Sequence, residues 1–447
     1  MEYFKAQSPW VLAEQNAAAV QRATRVRVAI GDRDFTLPLN RNFDAHLSRL
    51  SIPHTFTVVP GVGHDTLALL NALGESHWEF YREVFGNVSA EASGAPAPAT
   101  LTLAAVLRDE TALAGAHDIE VRDGIAYVAG KGGSLAIVDV KQPAAPKLLW
   151  SVRDKEKYED AETVLPLGKE RLLVGTRDVL LFDVARPAQP KLLAKIGERP
   201  RVDTINGFAR LGDAAFAANK EGYIFAVDVS APDMIKLLGS RETKASGELG
   251  SPHDAAFCGD LLTVVSPEGF GRQSRPGRLA VYRVADGKTR QALPPEQWTL
   301  VGKLEHPRLA GANRVRTRGT FAYVGSSLTQ NLGRADGLRG NVSVIDLTDP
   351  ARPKLRGSVD FPDMRGPNGL EVAGTVVFAA GGKTVQAVDV SNPDAPKELA
   401  RFTSAEVFSG GADDAHDLVF HDGHLFITAQ TTHALVFLKV RDELRRP

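Results

Sequence analysis

The sequence predicts an all-β fold: a seven-bladed β-propeller closed by an N-terminal strand, with a partial α/β segment ahead of it. Three observations carry this. One phrase of apolar and turn residues occurs seven times. Each copy holds about four short apolar stretches parted by Gly, Asp-Gly or Asp-Pro turns, the strand signature rather than the 3.6-residue helical period. A spare strand-like run precedes the first copy.

The phrase is first met as Leu135-Ala-Ile-Val-Asp-Val140, followed by Pro143 and Pro146-Lys-Leu-Leu149. It returns at Leu180–Val184, Phe225–Val229, Val342–Leu347 and Val385–Val390, and in degenerate form at Leu279–Val284 and Leu435–Val440. The upstream halves align at His117, Glu162, Asn206, His253, Asn313, Asn368 and His416, with spacings of 45, 44, 47, 60, 55 and 48 residues. Four short strands in ~45–50 residues make a propeller blade, which buries its apolar faces only against neighbouring blades. The seventh copy supplies three strands. Leu101-Thr-Leu-Ala-Ala-Val-Leu107 is therefore expected to complete its blade as the outer strand and lock the ring.

Composition excludes several classes of function. The balance of 53 Lys+Arg against 54 Asp+Glu excludes a polybasic nucleic-acid binder and an acidic solvating tail. Hydrophobic residues at 43% and charged residues at 24% suit a globular chain that buries its own core. The single cysteine, Cys258, excludes an internal disulfide framework and is expected as a buried, small apolar residue. No apolar run reaches the ~18–20 residues of a membrane span, and Met-Glu-Tyr-Phe lacks the basic and apolar regions of a signal peptide.

Residues 1–88 lack the repeat. Pro9–Ala23 is helix-compatible, Arg25–Ile30 reads as a strand, and Asn42–Leu50 as a helix. Thr55–Val59 then reads as a second strand and His77–Phe85 as a last helix. Strand–helix–strand–helix order belongs to a doubly wound sheet. Residues 89–100, small and Pro-rich, read as a linker, leaving the propeller to residues 101–447.

Two resemblances follow. The units of 101–447, with Tyr-Val-Ala, then Leu-x-Ile-Val-Asp-Val and Pro-Lys-Leu-Leu, resemble LVIVD repeats, a bacterial β-propeller repeat family. That resemblance implies a propeller and an exported, periplasmic or surface context. The first segment resembles the C-terminal part of an esterase-type α/β-hydrolase. Gly31-Asp-Arg-Asp34 and Pro60-Gly-Val-Gly-His64 match its acid and base motifs, implying that Asp34 orients His64 as a general base. The fold's nucleophile precedes its acid as Gly-x-Ser-x-Gly. That motif occurs nowhere here: Ser8 sits in Gln-Ser-Pro, and Gly132-Gly-Ser-Leu-Ala136 lies in a propeller turn. Asp34 and His64 are thus expected to belong to an incomplete domain with nothing to activate, His64 being a loop histidine without a role in this chain; the alternative is that the nucleophile half lies upstream.

The seven aligned starts form one polar ring at the end of the propeller where two insertions, 267–277 and 327–340, also emerge. Loops held by a rigid scaffold commonly carry binding groups. Arg272, Arg275, Arg278, Arg334 and Arg339 on or beside those insertions favour an anionic or carboxylate-bearing ligand. The bland alternative is that ring residues bond neighbouring backbone, with His-Asp pairs tying blade to blade. The repeated Asp139, Asp183, Asp228, Asp346 and Asp389 are expected to hold their own turns. A metal at the ring histidines is a third possibility, opposed by the wide spacing of a ring and by the lack of any metal-ligand motif. The leading expectation is a non-catalytic binding or interaction scaffold for a small molecule or protein, with no cofactor and no nucleic acid. The alternatives are a carboxylesterase and a metal-binding propeller enzyme.

Overall fold

The computed structural model describes residues 8–86, 101–267, 276–327, 339–362, 366–411, 414–441 and 444. The chain forms two compact units, Met1–Pro98 and Ala99–Pro447.

In the first unit α1 (Pro9–Ala23), β1 (Val26–Gly31), α2 (Leu37–Arg49), β2 (His54–Val59), α3 (Thr66–Leu73) and α4 (Glu75–Gly86) follow in order. The strands β1 and β2 pair in parallel, Val26 opposite His54 and Gly31 opposite Val59. Ala13, Leu47 and Ile52 are its buried apolar centre. The second helix begins five residues earlier than its apolar pattern suggests, because Pro38 in its first turn has φ already suited to a helix. The sequence reading missed α3. Its start is capped by Asp65, whose carboxylate accepts from the Leu67 and Ala68 amides at 2.9 and 3.0 Å.

The second unit is a seven-bladed β-propeller of four-stranded antiparallel sheets. Blade one runs outward through Ala116–Arg122, Ile125–Gly130, Ser134–Asp139 and Lys147–Arg153. Period-two alternation decides which neighbour each side chain meets. From Ile125–Gly130, Tyr127 and Ala129 join the cluster shared with blade two, while Ala126 and Val128 join the one shared with blade seven. Burying each Val, Leu, Ile or Phe in these layers stabilises the ring by about 1.5–3 kcal/mol.

Closure follows the sequence expectation. The segment Leu101–Arg108, here β3, pairs antiparallel with Ala434–Val440 as the outer strand of blade seven. The repeated aspartates each hold their own turn: Asp139, Asp183, Asp228, Asp346 and Asp389 accept from the amide two residues on, at 2.8–3.0 Å. Cys258 is partly rather than fully buried, its thiol 3.2 Å from the Gly319 carbonyl. Among the described residues no helix is long and apolar enough to cross a membrane.

Candidate functional site

The innermost strands begin at one end of the channel, and the second strand of each blade ends there too: Ala116 pairs with Gly130, and Ala312 with Ser326. The seven ring residues therefore meet at this end, from which both insertions leave. Arg272, Arg275 and Arg334 lie outside the described residues. Arg339 is described and exposed, and Arg278 pairs with Glu305 at 2.8 Å.

Ring side chains bond the backbone of the next blade. Nδ1 of His117 meets the Glu162 carbonyl at 2.9 Å, Nδ1 of His416 the His117 carbonyl at 3.1 Å, and Nδ1 of His253 the Asn313 carbonyl at 3.0 Å. A carbonyl only accepts, so each Nδ1 carries the proton. Burial pushes all three imidazoles well below the usual histidine range, and the nearby Lys131, Lys220 and Arg314 charges add to it. The rings of His117 and His416 lie 3.8 Å apart, a contact two protonated imidazoles would oppose. Asn313 donates to Asn368 at 3.2 Å. Both side-chain polar atoms of the fully buried Asn206 lack a partner.

Two residues unnoticed in the sequence dominate the charge here. Lys131 and Lys220 reach the buried Glu162 carboxylate at 3.1 and 2.7 Å. Each directly follows the last residue of a second strand, Gly130 or Asn219, so the repeat frame contained the signal. Two ammonium groups against one carboxylate leave the ring with a positive surplus, which opposes a metal cation. Among the described residues no group of three His, Cys, Asp or Glu is placed to hold one.

One position further along the strands, Arg314 crosses the channel. Its guanidinium lies 3.4 Å from both Asp118 and Asp417 and donates to the Asn206 carbonyl at 3.2 Å. Asp118 also accepts the Val164 amide of blade two at 2.7 Å, and Asp254 the Val315 amide of blade five at 2.9 Å. These aspartates tie adjacent blades. Burial pushes the Asp417 carboxyl well above the usual range; Arg314 opposes that shift and the neighbouring Asp118 reinforces it.

In the first unit, Nδ1 of His64 meets Oδ2 of Asp34 at 2.9 Å. Burial disfavours the Asp34 charge, but hydrogen bonds from the Thr36 amide and hydroxyl and from His64 outweigh it and hold the carboxyl low. Gly31 makes the approach possible, since a Cβ there would sit 2.0 Å from the Val62 carbonyl oxygen. Asp32 fixes the same loop through the Gly61 amide at 2.7 Å. The imidazole is 62% exposed.

The fold and ring define a channel-type propeller with a polar mouth. Residues 115–154, which make up blade one, match the model of the LVIVD repeat. No curated protein matches the chain. Among solved structures, the computationally designed Ika8 protein is similar at a TM-score of 0.48 and 10% identity, over 76% of this chain and 100% of that one.

Proposed function

We propose that the propeller is a non-catalytic binding scaffold and that its loop-bearing end takes a small carboxylate ligand. The observation that carries this is the surplus ammonium charge of Lys131 and Lys220, together with the unpartnered Asn206 amide of the same ring. A buried amide without a partner costs about 1–3 kcal/mol, which a ligand offering both donor and acceptor recovers. The neutral imidazoles offer Nε2 lone pairs to ligand hydroxyls, and the ammoniums give charge-assisted bonds to a carboxylate. Arg272, Arg275, Arg334 and Arg339 in the two insertions add charge of the same sign. The test is a thermal-shift titration with mono-, di- and hydroxycarboxylates. A concentration-dependent rise in Tm that disappears in the Lys131→Gln/Lys220→Gln double variant is expected. Equal shifts in parent and variant, or none with any carboxylate, would overturn the reading.

One observation favours a second reading for the first unit. The Asp34–His64 contact has the order and spacing of a hydrolase acid and base. On this reading residues 1–88 are part of an esterase-like domain, and a carboxylesterase activity requires a serine nucleophile; none is hydrogen-bonded to His64 among the described residues. His64-dependent ester hydrolysis separates the two readings.

A further inference from the structure

Beyond Arg314, away from the ring, the channel holds a cavity of about 200 Å³. Small residues on the innermost strands leave it room: Gly207, Ala209 and Ala256 stand where blades one and five place Asp118, Glu120, Arg314 and Arg316. The charges around it are unequally paired. Asp118, Glu120 and Asp254 line it together with the guanidiniums of Arg210, Arg314 and Arg316, and Asp417, Glu371 and Arg122 stand close behind. Arg314 is engaged with Asp118 and Asp417, and Arg316 with Asp254 at 3.0 Å and Glu371 at 3.7 Å.

What remains is acceptor capacity with nothing to accept from. Among the described residues no group donates to the Glu120 carboxyl, which lines the cavity. Asp254 also lines it, at 3% exposure; its Oδ2 binds Val315 and Arg316, while Oδ1 has no donor among the described residues. Buried Oδ1 of Asp417 and Nε of Arg314 are likewise without partners. Val164, Ala209 and Ala256 add apolar surface to the lining. A metal ion needs three or more oxygen or nitrogen ligands within ~2.0–2.6 Å, and no such group exists among the described residues. An ammonium is less demanding: it needs spaced acceptors, room for a short carbon stem, and an apolar wall.

We propose that this cavity binds a small organic cation with a primary ammonium group on a short chain, Glu120 and Asp254 accepting from the ammonium. A hydroxyl on the same chain would satisfy Arg314 Nε. The site is separate from the carboxylate mouth. Burial pushes the Glu120 carboxyl up to about 8, with Asp118 and Glu371 reinforcing and Arg316 and Arg122 opposing. The acceptor form therefore grows as pH rises through that value, while an alkylammonium with a pKa of ~10 keeps its charge.

The experiment is isothermal titration of the full chain with ethanolammonium, in amine-free buffer at pH 6.0 and 8.5, with ethylene glycol as the neutral isostere. Saturable binding that tightens several-fold at pH 8.5 is expected. Glu120→Gln should weaken it at least tenfold, and Ala256→Leu, which fills the cavity, should abolish it. Both variants should melt close to the parent. Binding unchanged in both variants, equal binding of ethylene glycol, or no binding at pH 8.5 would overturn the proposal; the last outcome would mark a cavity filled by water only.

Discussion

Arg314 is 2% exposed and holds together carboxylates from two blades, Asp118 and Asp417. A buried guanidinium is costly unless paired, and once paired its loss strands the partners. Arg314→Met keeps much of the side-chain volume and removes the charge. Two neighbouring carboxyls are then left without their countercharge, so the variant should lose about 3–5 kcal/mol in denaturant unfolding at pH 8. The sign of the pH dependence follows from linkage. Folded-state carboxyls with raised pKa favour folding at low pH and lose that advantage as pH rises. The deficit should therefore shrink at pH 5. A loss under 1 kcal/mol at pH 8 would show that Arg314 is not what stabilises these carboxyls.

At the scale of elements, the repeat made the strands legible. Period-two apolar runs and Asp-Pro turns recur on a fixed frame, so the blade boundaries and even β3 could be located from spacing. Side-chain chemistry inside the channel was less legible, because it depends on which residues from distant blades converge. Arg314 occupies a slot filled elsewhere by Asp, Thr or Gly, and that oddity signals its plug role only once the ring is closed. The cavity is set by small residues at three positions, an absence of side chain that a motif search passes over. In the first unit, α3 was hidden because Asp65 reads as the tail of a Gly-His motif before it reads as a cap.

The strand β3 makes a test at this scale. It joins Leu101, buried at 3% exposure, and the partly buried Val106 to the cluster shared by blades six and seven. It also covers the edge of Ala434–Val440. Deleting residues 1–98 should leave the propeller's melting within a few degrees of the parent. Deleting 1–108 should cost on the order of 3–5 kcal/mol through lost apolar burial and expose a pairing edge that promotes association. Equal melting of the two truncations would contradict ring closure by this strand.

At the scale of the whole molecule, the propeller differs in chemistry along its channel: two ammonium groups against one carboxylate at the mouth, and carboxyl acceptors without donors among the described residues beyond Arg314. On the proposed reading, that arrangement holds ligands in place. The first unit carries an acid–base pair, to which no serine is hydrogen-bonded among the described residues. The proposal that this chain binds rather than hydrolyses is tested most directly by hydrolysis of p-nitrophenyl acetate by the 447-residue chain and by its His64→Ala variant. A working serine esterase turns over at roughly 1–10³ per second. The account predicts no turnover in that range and no difference between parent and variant. Multiple turnovers by the parent, lost in His64→Ala, would contradict it and show that a serine reaches His64.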